Sequence, residues 1–191
     1  MPFRNTPDRF GFLARLFHWL IFLLLIGSFT IAWSMQDMPL GLLKLKMYSW
    51  HKWVGATIFI VVILRLLWRL ANAVPEPPAG TPRCQRASAG LSHFLLYAIL
   101  IVMPLTGWIM SSMKNLPLVY LGLVPIPSPF GKNEKWAEIL EEVHGTLGLA
   151  LLILVGIHVL AALYHHFILR DNVLRRMLPW PSRLRTPGTE T

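Results

Sequence analysis

Charged side chains are missing from long stretches of this chain. Residues 16–36 give 21 positions without Asp, Glu, Lys or Arg, 87–113 give 27, and 143–169 give another 27. Residues 53–64 give 12, and the run reaches Leu70 once Arg65 and Arg69 are admitted. A helix crossing a hydrocarbon core needs ~20 apolar residues. The pattern therefore predicts four spans, at about 13–36, 48–70, 90–113 and 143–168. The second qualifies only as one helix with charges near both ends: Arg69 can snorkel to the interface, whereas Arg65 lies a turn deeper. Residues 74–82 and 116–131 are Pro-rich and read as loops, the latter with Pro117, Pro125, Pro127 and Pro129. Residues 136–142 suggest a short surface helix leading into span four, and Pro104 is expected to bend span three. The first span is too long for a signal-peptide core, carries His18, Trp19 and Trp33, and ends in no small-residue cleavage pattern, so it is expected to be retained. No internal repeat is visible. The expectation is one domain over 1–191, an all-α membrane protein built as a four-transmembrane-helix bundle.

Composition narrows the class further. Hydrophobic residues make up 54% of the 191 and charged residues 14%, against roughly 25% charged in ordinary soluble domains. Mean hydropathy is +0.53. A soluble fold of this size could not hide so much apolar surface, and a disordered chain would not carry it. The net charge of +9 falls in short clusters between apolar runs, which suits anionic lipid rather than nucleic acid. The single cysteine, Cys84, excludes a disulfide framework.

Charge placement also predicts orientation. Counted with the span ends beside them, the N-terminus, the stretch between spans two and three (with Arg65 and Arg69) and the C-terminus hold all twelve arginines; the other two connections hold all six lysines. The positive-inside rule then puts both termini in the cytoplasm, and Cys84 in a reducing compartment.

Seven histidines lie in or near the spans: His18, His51, His93, His144, His158, His165 and His166. Any one could be interfacial or hydrogen-bonded to a neighbouring helix, but their depths match. His144 and His158 are 14 residues apart, four helical turns, so they share a face ~21 Å apart. His51 and His144 begin spans two and four at the outer end and form the outer pair. His18 lies 16 residues before Ser34, ~24 Å below that end, the depth of His158, which makes His18 and His158 the inner pair. Counting from the nearest arginine would instead favour His165 as the partner of His18. Two bis-imidazole sites stacked across a membrane imply two haems b. Zinc wants more ligands, with carboxylates or thiolates nearby, and the spans offer neither.

Small residues agree. Gly55 follows His51 and Gly148 follows His144, each at i+4 on the ligand's own face, where a missing side chain permits close haem approach; helix packing through glycine is the competing account. Arg65 is 14 residues after His51 and so lies on the same face near the inner site, a candidate propionate partner. His93, His165 and His166 are left as spare ligands, proton relays or interfacial residues.

The segments Leu16-Phe17-His18-Trp19, Trp50-His51-Lys52, Leu64-Arg65-Leu66-Leu67-Trp68-Arg69, Leu91-Ser92-His93, Val143-His144-Gly145, His158, His165-His166 and Asp171-Asn172 together resemble the bacterial cytochrome b561 family, from Asn5 to about Pro179. The resemblance implies a di-haem b bundle in the bacterial inner membrane, with His18 and His158 ligating one haem iron and His51 and His144 the other. It also implies electron transfer from superoxide, or another periplasmic donor, to ubiquinone and the quinone pool, as in a superoxide oxidase. Lys44, Lys46, Lys52, Lys132 and Lys135 on the outer side would steer an anionic donor. Two rival readings stand beside this one. The chain could be a haem-b anchor subunit of a larger oxidoreductase, such as a hydrogenase or formate dehydrogenase. It could also be a haem-free metal-binding transporter, which a visible spectrum would separate.

Overall fold

The computed structural model describes residues 3–7, 9–78 and 80–178. Of the charges used to predict orientation, Asp8, Arg183, Arg185 and Glu190 lie outside them, as does Pro179. The four apolar runs form helices α1 (Phe12–Gln36), α2 (Leu42–Leu70), α3 (Arg83–Met113) and α4 (Glu134–Phe167). All four are long and apolar enough to cross a membrane.

The helices extend beyond the expected spans. At 34 residues, α4 is ~51 Å long against a hydrocarbon core of ~30 Å. Its first turns take in 136–142, which is therefore not a separate surface helix. Asn133 caps the start, its side-chain oxygen accepting the Trp136 N–H at 3.2 Å, and Glu134 stands in the first turn, where helix dipole and carboxylate attract. α2 begins at Leu42 and α3 at Arg83 because polar turns can continue a helix into the interface. α3 also runs through Pro104 without ending.

Residues 116–131 are more than a loop. They contain an antiparallel hairpin of β1 (Leu118–Tyr120) and β2 (Val124–Ile126), in which Leu118 faces Ile126 and Tyr120 faces Val124. The prolines hid this pairing; Pro125 sits opposite Val119 at an edge position, where its missing N–H costs no ladder bond.

α1 packs on α2, α2 on α3 and α3 on α4. Among the described residues α4 brings no Cα within 8 Å of α1 or α2, so those helices meet only through side chains. The buried centre is Ile21 and Leu25 of α1, Ile58, Val61 and Val62 of α2, Leu100 of α3 and Leu151 of α4. Other long apolar side chains, such as Leu23, Phe94 and Leu160, point outward and are more than 60% exposed, as lipid-facing positions should be.

The described segments before α1 and after α4 lie at one end, with the α2–α3 connection. There the N-terminal segment folds back over the start of α1: a Cβ on Gly11 would fall 2.5 Å from the Arg4 carbonyl carbon, so only glycine fits. Asn5 accepts the Gly11 N–H at 2.9 Å and donates to the Ala73 carbonyl at 2.8 Å. The chain after α4 returns to α1, where Trp19 Nε1 donates to Met177 O at 2.8 Å and Arg15 Nη1 to Leu178 O at 3.0 Å. The described arginines gather at this end and the six lysines at the opposite, loop end.

Candidate functional site

Two histidine pairs bridge the helices whose backbones stay apart. Near the loop end, the rings of His51 (α2) and His144 (α4) have centres 6.3 Å apart and planes at 82°. Nearer the termini, His18 (α1) and His158 (α4) lie 6.0 Å apart at 72°. These are the pairs that depth along the helices suggested.

The loop-end rings are held by their Nδ1 atoms. His51 Nδ1 lies 3.2 Å from the Ser28 carbonyl and 3.3 Å from its hydroxyl. His144 Nδ1 lies 3.1 Å from the Met103 carbonyl and 3.0 Å from Thr106 Oγ1. A carbonyl only accepts, so Nδ1 carries the proton in both rings and Nε2 is left as the lone-pair nitrogen. Thr106 Oγ1 itself donates to Met103 O at 2.7 Å, fixing the hydroxyl as a second acceptor for His144. Against the same ring stands Gly107 of α3: a Cβ there would meet His144 Cε1 at 3.0 Å. Ser28, Thr106 and Gly107 escaped the sequence reading, because one small residue in an apolar helix looks like ordinary packing.

The termini-end site has a third imidazole. His93 of α3 lies 5.7 Å from His158, at 64°, inside the bundle rather than at its interface. Arg65 is close by. Its Nη1 donates to the Ala14 carbonyl, one turn before His18, at 2.7 Å, and its Nε to Tyr97 Oη at 3.1 Å. No carboxylate pairs with Arg65 among the described residues. His165 does not partner His18; its Nδ1 pairs with Asp171, and its Nε2 lies 3.3 Å from Gln85 Nε2. His166 Nδ1 is buried without a partner among the described residues.

The two flagged glycines differ. A Cβ on Gly148 would meet Met103 Cε at 3.3 Å, so its bareness serves the α3–α4 contact, whereas one on Gly55 would meet nothing within 4 Å. At the loop end the lysines are partly engaged. Lys114 pairs with Glu141 at 2.6 Å and Lys132 with Glu134 at 2.9 Å, which holds the Lys132 ammonium above the ordinary lysine range. Lys44 Nζ donates to the Met38 carbonyl at 2.8 Å. No three His, Cys, Asp or Glu side chains among the described residues converge as a metal cage.

A family model of prokaryotic cytochrome b561 matches residues 9–180. The chain belongs to the prokaryotic cytochrome b561 family. This cytochrome b561 is 28% identical to cytochrome b561 homolog 2 of Escherichia coli K12, over 93% of this chain and 95% of that one. It is 31% identical to the "probable superoxide oxidase CybB" of Yersinia pestis, over 85% and 91%. With cytochrome b562 of Cereibacter sphaeroides the identity is 26%, over 67% and 65%. It is a multi-pass membrane protein of an electron-transport family, and membership implies haem b.

The histidine pairs fit that group. Each pair, with ring centres 6.3 or 6.0 Å apart, would offer two imidazole nitrogens to a haem iron, the ligand type that haem b takes. Anchoring Nδ1 to a carbonyl is the usual way a ligating histidine is oriented.

Proposed function

We propose that this cytochrome b561 carries single electrons across the bacterial inner membrane through two haems b, from superoxide at the loop end to ubiquinone. In this reading both termini are cytoplasmic and the loop end faces the periplasm, as the distribution of arginine and lysine supports. His51 and His144 hold the outer haem, and His18 and His158 the inner one. The observation that carries the assignment is the two ring pairs, 6.3 and 6.0 Å between centres, each joining helices whose backbones stay apart. A bound haem b supplies a reversible one-electron iron couple. Two superoxide anions each give up one electron and leave as O2; the two electrons, with two protons, convert one ubiquinone to ubiquinol.

The protein's own groups set the conditions for this. Ser28 O and Met103 O keep the Nδ1 protons of His51 and His144, presenting Nε2 inward. Ile58, Val61, Val62, Leu100 and Leu151 exclude water between the two levels. In this reading Arg65, a cation without a carboxylate partner among the described residues, pairs with a haem propionate. Gly55, with open space over its Cα, leaves room for close haem approach on the face of His51; Gly148 does the same beside His144 only where Met103 gives way.

The test is haem stoichiometry combined with ligand replacement. The purified protein should carry two low-spin haems per chain. His51→Ala or His144→Ala should remove one redox component, and His18→Ala or His158→Ala the other. One haem per chain, or loss of the same component from His51→Ala and His158→Ala, would overturn the assignment.

A further inference from the structure

We infer that the hairpin between α3 and α4 dips into the bilayer, and that its tip, Leu121-Gly122-Leu123, is seated among the acyl chains of the leaflet at the loop end. The inference depends on the chain spanning a membrane and on no cofactor.

Three contacts lead the hairpin down the side of α2. Lys52 Nζ donates to the Leu116 carbonyl at 3.1 Å, Trp53 Nε1 donates to the Val119 carbonyl at 2.7 Å, and Tyr120 Oη lies 2.8 Å from Thr57 Oγ1. Thr57 Oγ1 already donates to the Trp53 carbonyl at 2.8 Å, so the tyrosine hydroxyl is the donor to it. As the chain runs from 116 to 120, its anchors advance from Lys52 to Thr57, ~7.5 Å along the helix axis. The direction is into the uncharged stretch 53–64 and away from the last charge at that end, Lys52. On the helix circumference Trp53 and Thr57 lie roughly opposite His51, so the hairpin flanks the bundle rather than filling it.

The turn argues independently for the same surroundings. Leu121 has φ +53° and Gly122 φ +72°, with Gly122 N–H donating to Val119 O at 3.2 Å and Leu123 N–H to Tyr120 O at 3.0 Å. Two left-handed central residues make a primed hairpin turn, for which Asn-Gly is the favoured pair in water. A leucine in the left-handed region is strained, and here it is 54% exposed with its neighbour Leu123 at 81%. An aqueous tip would gain nothing from two outward leucines, while an acyl environment would repay both. Much of the strand backbone is already engaged, because the two strands pair with each other and side chains of α2 donate to the Leu116 and Val119 carbonyls.

The experiment is site-directed spin labelling in liposomes. With Cys84→Ser as background, Leu121→Cys and Leu123→Cys are labelled separately. Relaxation by oxygen, which concentrates in acyl chains, is compared with relaxation by a water-soluble nickel chelate. Phe94→Cys, on a lipid-facing surface of α3, and Lys132→Cys, in the exposed connection, calibrate the two extremes. Retention of the wild-type far-ultraviolet circular dichroism and thermal transition certifies each variant, and either tip position suffices. The proposal expects oxygen to dominate at the tip as at 94. Dominance of the nickel chelate, as at 132, overturns it in favour of an aqueous loop. Protection from both reagents overturns it in favour of a protein partner or a second copy covering the tip.

Discussion

A methyl group at Gly107 is a sharp test of the loop-end site. The new Cβ would lie 3.0 Å from His144 Cε1 and 3.4 Å from its Nδ1, whereas carbon atoms rest at ~3.5–4.0 Å. The ring must retreat from α3 by ~0.5 Å. It cannot do so freely, because Met103 O and Thr106 Oγ1, which hold it at 3.1 and 3.0 Å, belong to the same helix. The same retreat stretches both contacts to ~3.5 Å, the edge of hydrogen bonding. Crowding of this kind costs roughly 1–3 kcal/mol, and a weakened hydrogen bond on the order of 1 more. A net loss of about 2 kcal/mol weakens haem retention roughly 30-fold, within the range for disturbing a ligand's supporting shell. The assay is transfer of haem from Gly107→Ala protein to excess apomyoglobin, followed together with a potentiometric titration. One component should leave roughly 30-fold faster, with the other unchanged. Wild-type transfer rates and midpoints in both Gly107→Ala and Gly107→Val would refute the reasoning.

Arg65→Leu should lower the midpoint potential read at the termini-end site by tens of millivolts, on the order expected for one nearby charge in a partly buried setting. Removing a positive charge favours the oxidised, more positive form, so the sign is downward; an unchanged titration would leave Arg65 as a lipid-facing anchor. In stopped flow, superoxide should reduce the protein faster at low than at high ionic strength. Lys44→Gln with Lys46→Gln should flatten that dependence, whereas Lys132→Gln, whose charge Glu134 already offsets, should change it little; indifference to salt would remove the loop-end lysines from the account.

The spans and the two histidine pairs were legible because charge is scarce in these segments and a 14-residue interval returns to one helix face. The choice between His158 and His165 as neighbour of His18 turned on where the helix ends were placed, and the approach of the His18 and His158 rings, with His165 turned to Asp171, decides it. The helices start earlier than the expected spans because hydropathy marks the hydrocarbon core, while a helix continues until a cap such as Asn133 or a proline such as Pro82 stops it. The hairpin was missed because its strands are three residues each and sit among prolines, below the length at which alternation becomes visible. The crowding of Gly107 on His144 and the approach of His93 to His158 depend on how α3 is rotated about its axis. No local pattern in the sequence encodes that rotation.

One helix, α4, supplies a ring to each pair, with thirteen residues of unbroken helix between His144 and His158. The two sites are therefore mounted on a common shaft. Adding one residue between them would turn the second ring by ~100° and advance it only ~1.5 Å, so the interval cannot be adjusted in small steps. Whatever passes between the levels does so over a gauge fixed by helical pitch. Variation within such a bundle is then channelled into the dipoles and charges around each ring rather than into the distance separating them.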